Sequence, residues 1–525
     1  MKRLLIPLAA AGLAAATLAA PAAAAPSWVT DPLAPKPADA YSTALFWLDA
    51  NGAALKKAAQ YHWDYKNITK LVRVSSDTPD DGKPGVVAPI GAATTGGKVK
   101  NVNLPKTIGK VFFVDSKGDY RWCSATSVQS RHRNLVATAG HCVYERGRDV
   151  FAKWVFVPGY YQGKAPFGVF AGAYAFTTYD LDTYDDYDGD FAFVAVHNGF
   201  DLPGSREVSP SEFAEWKGDK WVDNRWQKVA KDDYEKGVNA GRLGRIVDGV
   251  ATQTTGPEDK RGVFQPKEVS SETYDDAAGL DVTRIGAKAR STTTVLSDQE
   301  AAEYQSLKAL TAAQRAERFE KNQVKYWDKS ESFLGTVTGG AGSAKLTRYY
   351  VKQWIIPGAD AAYFLGDPHF MIGLAKDTGK LGDTVGGQGM AWNQPQGQPV
   401  FAFGYPADEH PDGSKPYTGV TPKYCYGKTG TKTYQVNSFR VETHQVLKCS
   451  MTGGADGGPW LLKYNNSKRL GYVNGVTSLF HDQDGNDRVD LISSAYFDGE
   501  TADVYNKAQY AETKSIIGPK GEMLS

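Results

Sequence analysis

The chain has 525 residues, enough for two to four domains and an extensive core. Lys and Arg total 60 against 59 for Asp and Glu, a formal net charge of +1, so overall charge gives no reason to expect a nucleic-acid or acidic-surface partner. The 55 glycines, 28 tyrosines and 12 tryptophans suit a chain of many short strands and turns.

At the N-terminus, Lys2 and Arg3 precede an apolar, small-residue run from Leu4 to Ala20, and Ala22-Ala23-Ala24 offers a small-x-small cleavage site. Residues 1–24 are expected to be a secretory signal peptide, which makes the protein secreted and extracellular. A membrane anchor fits less well, because the run is Ala-rich and ends in a cleavage motif; no later segment is long and apolar enough to span a bilayer. Export favours disulfides over metal ligation for the four cysteines, with three pairings open.

Residues 25–105 contain no cysteine and few long apolar runs. They are expected to form a propeptide or N-terminal extension, or equally a loosely packed subdomain, with an exposed turn at Asp77-Thr-Pro-Asp-Asp-Gly-Lys-Pro-Gly85. Strand-like runs follow at Gly109–Val114, Asn134–Ala139, Trp154–Pro158 and Asp190–Val196, rich in β-branched and aromatic residues. Residues 106–201 are expected to form a β-barrel. Residues 202–375 are more charged and more helical. There Ser297-Asp-Gln-Glu300 has the form of a capping box, and Tyr304, Leu307, Leu310, Ala313, Ala316 and Phe319 recur at the spacing of a helix packed on a core. Strands resume near Gly387 and continue through Val400–Pro406, Trp460–Leu462 and Gly471–Ser478, giving a second barrel and C-terminal tail over residues 376–525.

Three motifs carry the chemistry. A strand runs into Thr138-Ala-Gly-His-Cys142, placing His141 at a strand end. Asp190 opens an apolar strand 49 residues later. The segment Cys449-Ser-Met-Thr-Gly-Gly-Ala-Asp-Gly-Gly-Pro-Trp460 is a tight glycine-rich turn with Asp456 at its apex. With Trp154–Tyr160 and Gly404-Tyr-Pro406, these motifs resemble the secreted bacterial trypsin-like serine peptidases of the chymotrypsin superfamily, close to the glutamyl endopeptidases. The likeness covers about residues 107–200 and 380–510. It implies a mainly β fold of two antiparallel barrels with the site between them, here separated by a large, partly helical insertion.

The resemblance assigns His141 as general base and Asp190 as its orienting acid, with Asp367 as a second candidate for that acid. It assigns the amides of Gly454 and Asp456 to the oxyanion hole, and Ser478 to the substrate-binding strand. It pairs Cys123 with Cys142 and Cys425 with Cys449. Asp456 stands where the family has its nucleophilic serine. Carboxylates serve as nucleophiles in glycosidases and some phosphoryl transfers. Attack on an amide would instead give an intermediate that expels the carboxylate and reverts. Losing the nucleophile of a triad costs roughly 10⁶ in turnover, a negative charge opposes the oxyanion, and a second carboxylate raises the histidine's pKa. Ser450 and Thr452 precede the apex and offer no rescue. Thr477 and Ser478 do not supply the histidine with which glutamyl endopeptidases read glutamate, and His481 lies beyond them. The acidic loop Asp482–Asp487 lacks the spaced glutamate of an EF-hand and is expected to be a solvated turn. No zinc motif, phosphate loop or basic patch stands out.

The expectation is an inactive protease homologue, a monomer with no cofactor, metal or nucleic acid, whose cleft takes a peptide or protein ligand. An active serine endopeptidase and a binding protein acting through the insertion are the alternatives.

Overall fold

The computed structural model describes residues 27–61, 71–73, 82–93, 104–247, 252–253, 263–278, 280, 286–321, 323–340, 343–356 and 361–524. The expected signal peptide lies outside these residues, as do residues 77–81 of the expected N-terminal turn.

The molecule is mainly β, with a closed six-stranded barrel and a half-barrel. In the closed barrel, antiparallel neighbours follow one another from Ile108–Val114 through Tyr120–Val128, Leu135–Thr138, Ala192–Val196 and Phe170–Thr178 to Ala152–Pro158, which pairs again with Ile108–Val114. The strand Ala192–Val196 is buried along its whole length instead of alternating. Its inner face fills the barrel, and the helix Gly499–Ala508 packs on its outer one, so both faces are apolar.

The region expected as a propeptide or extension is built into this core. Trp28–Pro32 pairs antiparallel with Phe170–Thr178, from Trp28 opposite Thr178 to Pro32 opposite Tyr174. The helix Pro37–Lys57 starts on a proline, which lacks the N–H that a helix start leaves unpaired. Its Trp47 is fully buried and donates its indole N–H to Lys153 O at 2.6 Å. Further on, Gly85–Val87 pairs with Gly389–Trp392 and Val72–Arg73 with Tyr434–Val436, so this region touches both barrels. Strands of two to five residues with partners so distant in sequence leave little local signal.

The insertion leaves and rejoins the barrels on one antiparallel pair, Gly199–Val208 against Ala362–Gly379, with Gly199 opposite Gly379. It contains more strand than expected. Lys220–Val229 and Leu243–Val247 also pair with Ala362–Gly379, and a second sheet is centred on Lys345–Ile356. Much of Lys220–Val229 is exposed, which blurs the alternation that marks a half-buried strand. The capping box forms as expected: Ser297 Oγ accepts from Glu300 N, and Glu300 Oε2 accepts from Ser297 N at 2.7 Å. The Tyr304–Phe319 stripe is divided between two helices, Asp298–Lys308 and Ala312–Glu320, because Thr311 makes a second capping box with Gln314.

The half-barrel is a six-stranded sheet in the order Lys423–Lys428, Pro399–Gly404, Pro459–Asn465, Leu470–Val476, Gly389–Trp392, Gly85–Val87. It faces a second sheet containing Leu479–His481, Leu491–Ser494 and Val441–Lys448. Among the described residues no helix is long and apolar enough to cross a membrane. The disulfides Cys123–Cys142 and Cys425–Cys449 are both formed.

Candidate active site

Two neighbouring strands bring His141 and Asp190 together. Thr138 lies opposite Ala192, so the residues just after the first strand and just before the second leave the barrel at the same end. His141 sits in the turn Gly140–Cys142, which the Cys123–Cys142 disulfide ties to the neighbouring strand Tyr120–Val128. A Cβ at Gly140 would come within 2.1 Å of the Leu181 side chain and 3.1 Å of Asp190 Oδ1, so glycine lets the turn approach Asp190 without displacing its neighbours. Asp190 is fully buried. It accepts from His141 N at 2.9 Å through Oδ1, while Oδ2 lies 2.7 Å from His141 Nδ1. The Ser478 hydroxyl also donates to Oδ2. Burial alone would raise the Asp190 pKa, but His141 and these hydrogen bonds hold it below the usual carboxylate range.

The Asp456 turn docks across the cleft onto the closed barrel. Ser124 N donates to Asp456 O at 2.8 Å, and Ser124 Oγ donates to Gly454 O at 2.7 Å. Gly454 has φ +94° and Gly457 φ +74°, a region that disfavours side chains. A Cβ at Gly457 would meet Thr138 Oγ1 at 2.1 Å, so sterics and conformation both require glycine there.

Asp456 is 4% exposed, and its two oxygens have different neighbours. Oδ1 lies 3.4 Å from His141 Nε2. Oδ2 accepts from Gly454 N at 2.7 Å. Burial pulls the His141 pKa down, but the carboxylates of Asp190 and Asp456 outweigh it and raise the pKa to about 9. The raised pKa favours the imidazolium form of the ring between the two carboxylates.

His141, Asp190, Asp456, Gly454 and Ser478 thus converge. Ser478, expected on the substrate-binding strand, directs its side chain onto Asp190. Asp367 is not in the cleft: it lies in the insertion, 52% exposed, with Arg242 Nη2 at 2.7 Å. His481 is buried and shares the Ser493 hydroxyl with His444, at 2.8 and 3.1 Å. The carboxylate of Asp482 accepts from the amides of Gly485, Asn486 and Asp487, which closes a tight turn. Residues without a sequence signal also line the site. Tyr61 and Tyr187 place their rings 6.5 and 6.4 Å from the imidazole, and Ser124 holds the opposite wall. Among the described residues, the one cluster of three potential metal donors is Cys123, His141 and Cys142, whose sulfurs are joined to each other.

No family model and no curated protein matches the sequence. Solved structures do. The protease Anisep from Arthrobacter nicotinovorans is 17% identical with a TM-score of 0.38, over 78% of this chain and 98% of that one. A thermostable serine protease, AL20, from an extremophilic microorganism is 17% identical with a TM-score of 0.37, over 78% and 98%. A Glu endopeptidase in complex with MPD is 12% identical with a TM-score of 0.34, over 80% and 99%.

Proposed function

We propose that this chain is an exported serine-protease homologue whose peptidase chemistry is switched off at Asp456 and whose cleft binds a peptide or protein. In this reading the barrels at 106–201 and 376–525 form the cleft, with 25–105 and 202–375 as additions. His141 and Asp190 are the retained base and orienting acid of a triad, and Gly454 N is the retained oxyanion donor. One observation carries the proposal: the Asp456 carboxylate takes the nucleophile's place beside His141 Nε2 and also occupies the Gly454 amide. An incoming carbonyl would meet no hydroxyl, an imidazole that favours its protonated form and an amide already bonded to an anion.

The test is cleavage of a mixed peptide library by the mature protein beside its Asp456→Ser variant. The native protein should be silent and the variant should cut, with a gain of several orders of magnitude that His141→Ala removes. Cleavage by the native protein that is lost on His141→Ala alone would overturn the reading.

A further inference from the structure

On the half-barrel, the strands Pro399–Gly404, Lys423–Lys428 and Pro459–Asn465 meet Leu104 around a recess of about 600 Å³, whose lining residues do not include His141, Asp190 or Asp456. Five aromatic rings line it. Phe401 lies opposite Tyr426 and Phe403 opposite Tyr424 across the strand pair. The Phe401 centroid is 4.5 Å from that of Tyr426 and 5.1 Å from that of Tyr464, and Phe403 is 5.8 Å from Tyr424. Strand periodicity puts Tyr424 and Tyr426 on one face, opposite Cys425, whose sulfur turns to Cys449. Tyr424 and Tyr426 are 58% and 62% exposed. Asn466 and Arg469 complete the wall. Aromatic surface left open and rimmed by a few polar groups is the usual form of a ligand site.

The charge around the recess is one-sided. Residues 104–106, 399–404, 423–428 and 459–469 contain Lys106, Lys423, Lys428, Lys463, Lys468 and Arg469 and no Asp or Glu. Arg469 lines the recess, and Lys428, exposed, shares the strand face of Tyr424 and Tyr426; Lys423 and Lys463 are exposed on the opposite strand faces. The chain's near-neutral total conceals this local excess, because the four segments are far apart in sequence.

We propose that this recess binds an anionic polysaccharide of the uronic-acid class. The C–H faces of the sugar rings would stack on Tyr424 and Tyr426, and the carboxylates would pair with Lys428, on the same strand face as the two rings, and with Arg469. The cations favour an anion over a neutral glycan. A single-stranded nucleic acid would also join stacking to charge. The two disulfides suit an oxidising compartment outside the cytoplasm, and the polyanions with stackable rings there are chiefly polysaccharides.

The test titrates the whole protein with polygalacturonate, neutral dextran and oligo-dT. Polygalacturonate should bind and dextran should not. Tyr426→Ala should weaken binding about tenfold, Tyr426→Phe should retain it, and Arg469→Gln should weaken it and flatten its salt dependence. Lys321→Ala, at the exposed C-terminal cap of the helix Ala312–Glu320, should leave it unchanged. Because Tyr426 is exposed, its truncation spares the core. No binding of polygalacturonate, equal binding of dextran, tighter binding of oligo-dT, or indifference to Tyr426→Ala would each overturn the proposal.

Discussion

A histidine held between two carboxylates makes its proton part of the fold. His141 titrates near 6.5 when unfolded and at about 9 in the folded chain. Because the folded value is the higher one, its contribution is complete below pH 6.5 and is lost as pH rises through 9, about 3 kcal/mol in all. Asp456→Asn keeps an acceptor for Gly454 N but removes one charge, so this decline should shrink by about 1 kcal/mol. Urea unfolding of both proteins at pH 6 and pH 9.5 measures the difference; equal declines would mean that Asp456 does not hold the proton. Lys110 poses the opposite case. It is 2% exposed, with Nζ 3.1 Å from the centroid of the Trp122 ring and 4.4 Å from that of Tyr160. Burial pushes its pKa well below the ordinary value. Rings recover only part of an ammonium's lost hydration, so Lys110→Met should stabilise the protein by about 1–3 kcal/mol. Since the unfolded lysine binds its proton more tightly, that gain should grow as pH falls, which thermal melts at two pH values would show.

Among elements, local rules succeeded where the signal was local. The Ser297 capping box was legible because all its partners lie within four residues. The same pattern in Thr311-Ala-Ala-Gln314 marks the break between the two helices, but the apolar stripe that continues across both of them masked it. Exposed strands such as Lys220–Val229 escaped notice because their order comes from the long neighbour Ala362–Gly379. The Cys425–Cys449 bridge spans 24 residues and joins the edge strand Lys423–Lys428 to the segment leading into the Asp456 turn. In the chain-entropy model such a closure contributes about 3–4 kcal/mol. Replacing both cysteines with serine should lower the urea midpoint accordingly, and hydrogen exchange should rise first in residues 423–428 and 449–459.

On the scale of the whole molecule, the N-terminal region works as part of the closed barrel. Trp28–Pro32 extends the sheet, and the helix Pro37–Lys57 covers it with Tyr41, Leu45 and Trp47, all nearly or fully buried. A chain starting at residue 58 should expose that apolar surface and give insoluble or molten protein, read by expression and near-ultraviolet circular dichroism. A soluble, cooperatively melting product would show that the segment is dispensable and restore its reading as a removable propeptide. The insertion leaves and rejoins the barrels on the pair that begins with Gly199 opposite Gly379, is tied to the helix Pro37–Lys57 where Asp219 N donates to the Tyr41 hydroxyl and the Tyr326 hydroxyl donates to Asp49, and has separate small cores of its own, one around Tyr304 and Leu307 and another around Tyr234 and Leu365.

Sequence by itself determined the mainly β class, and it singled out His141, Asp190 and Asp456, which the fold brings together. Glycine-rich turns and strand-end motifs carry their geometry in a few adjacent residues. Only the tertiary structure decided what those residues do to one another. The seating of the Asp456 carboxylate on the Gly454 amide, the hydrogen bond of Ser478 to Asp190 and the raised pKa of His141 depend on distances across two barrels. So does the aromatic, cation-rimmed recess, because charge and exposed ring surface become a site only when distant segments are folded onto one face.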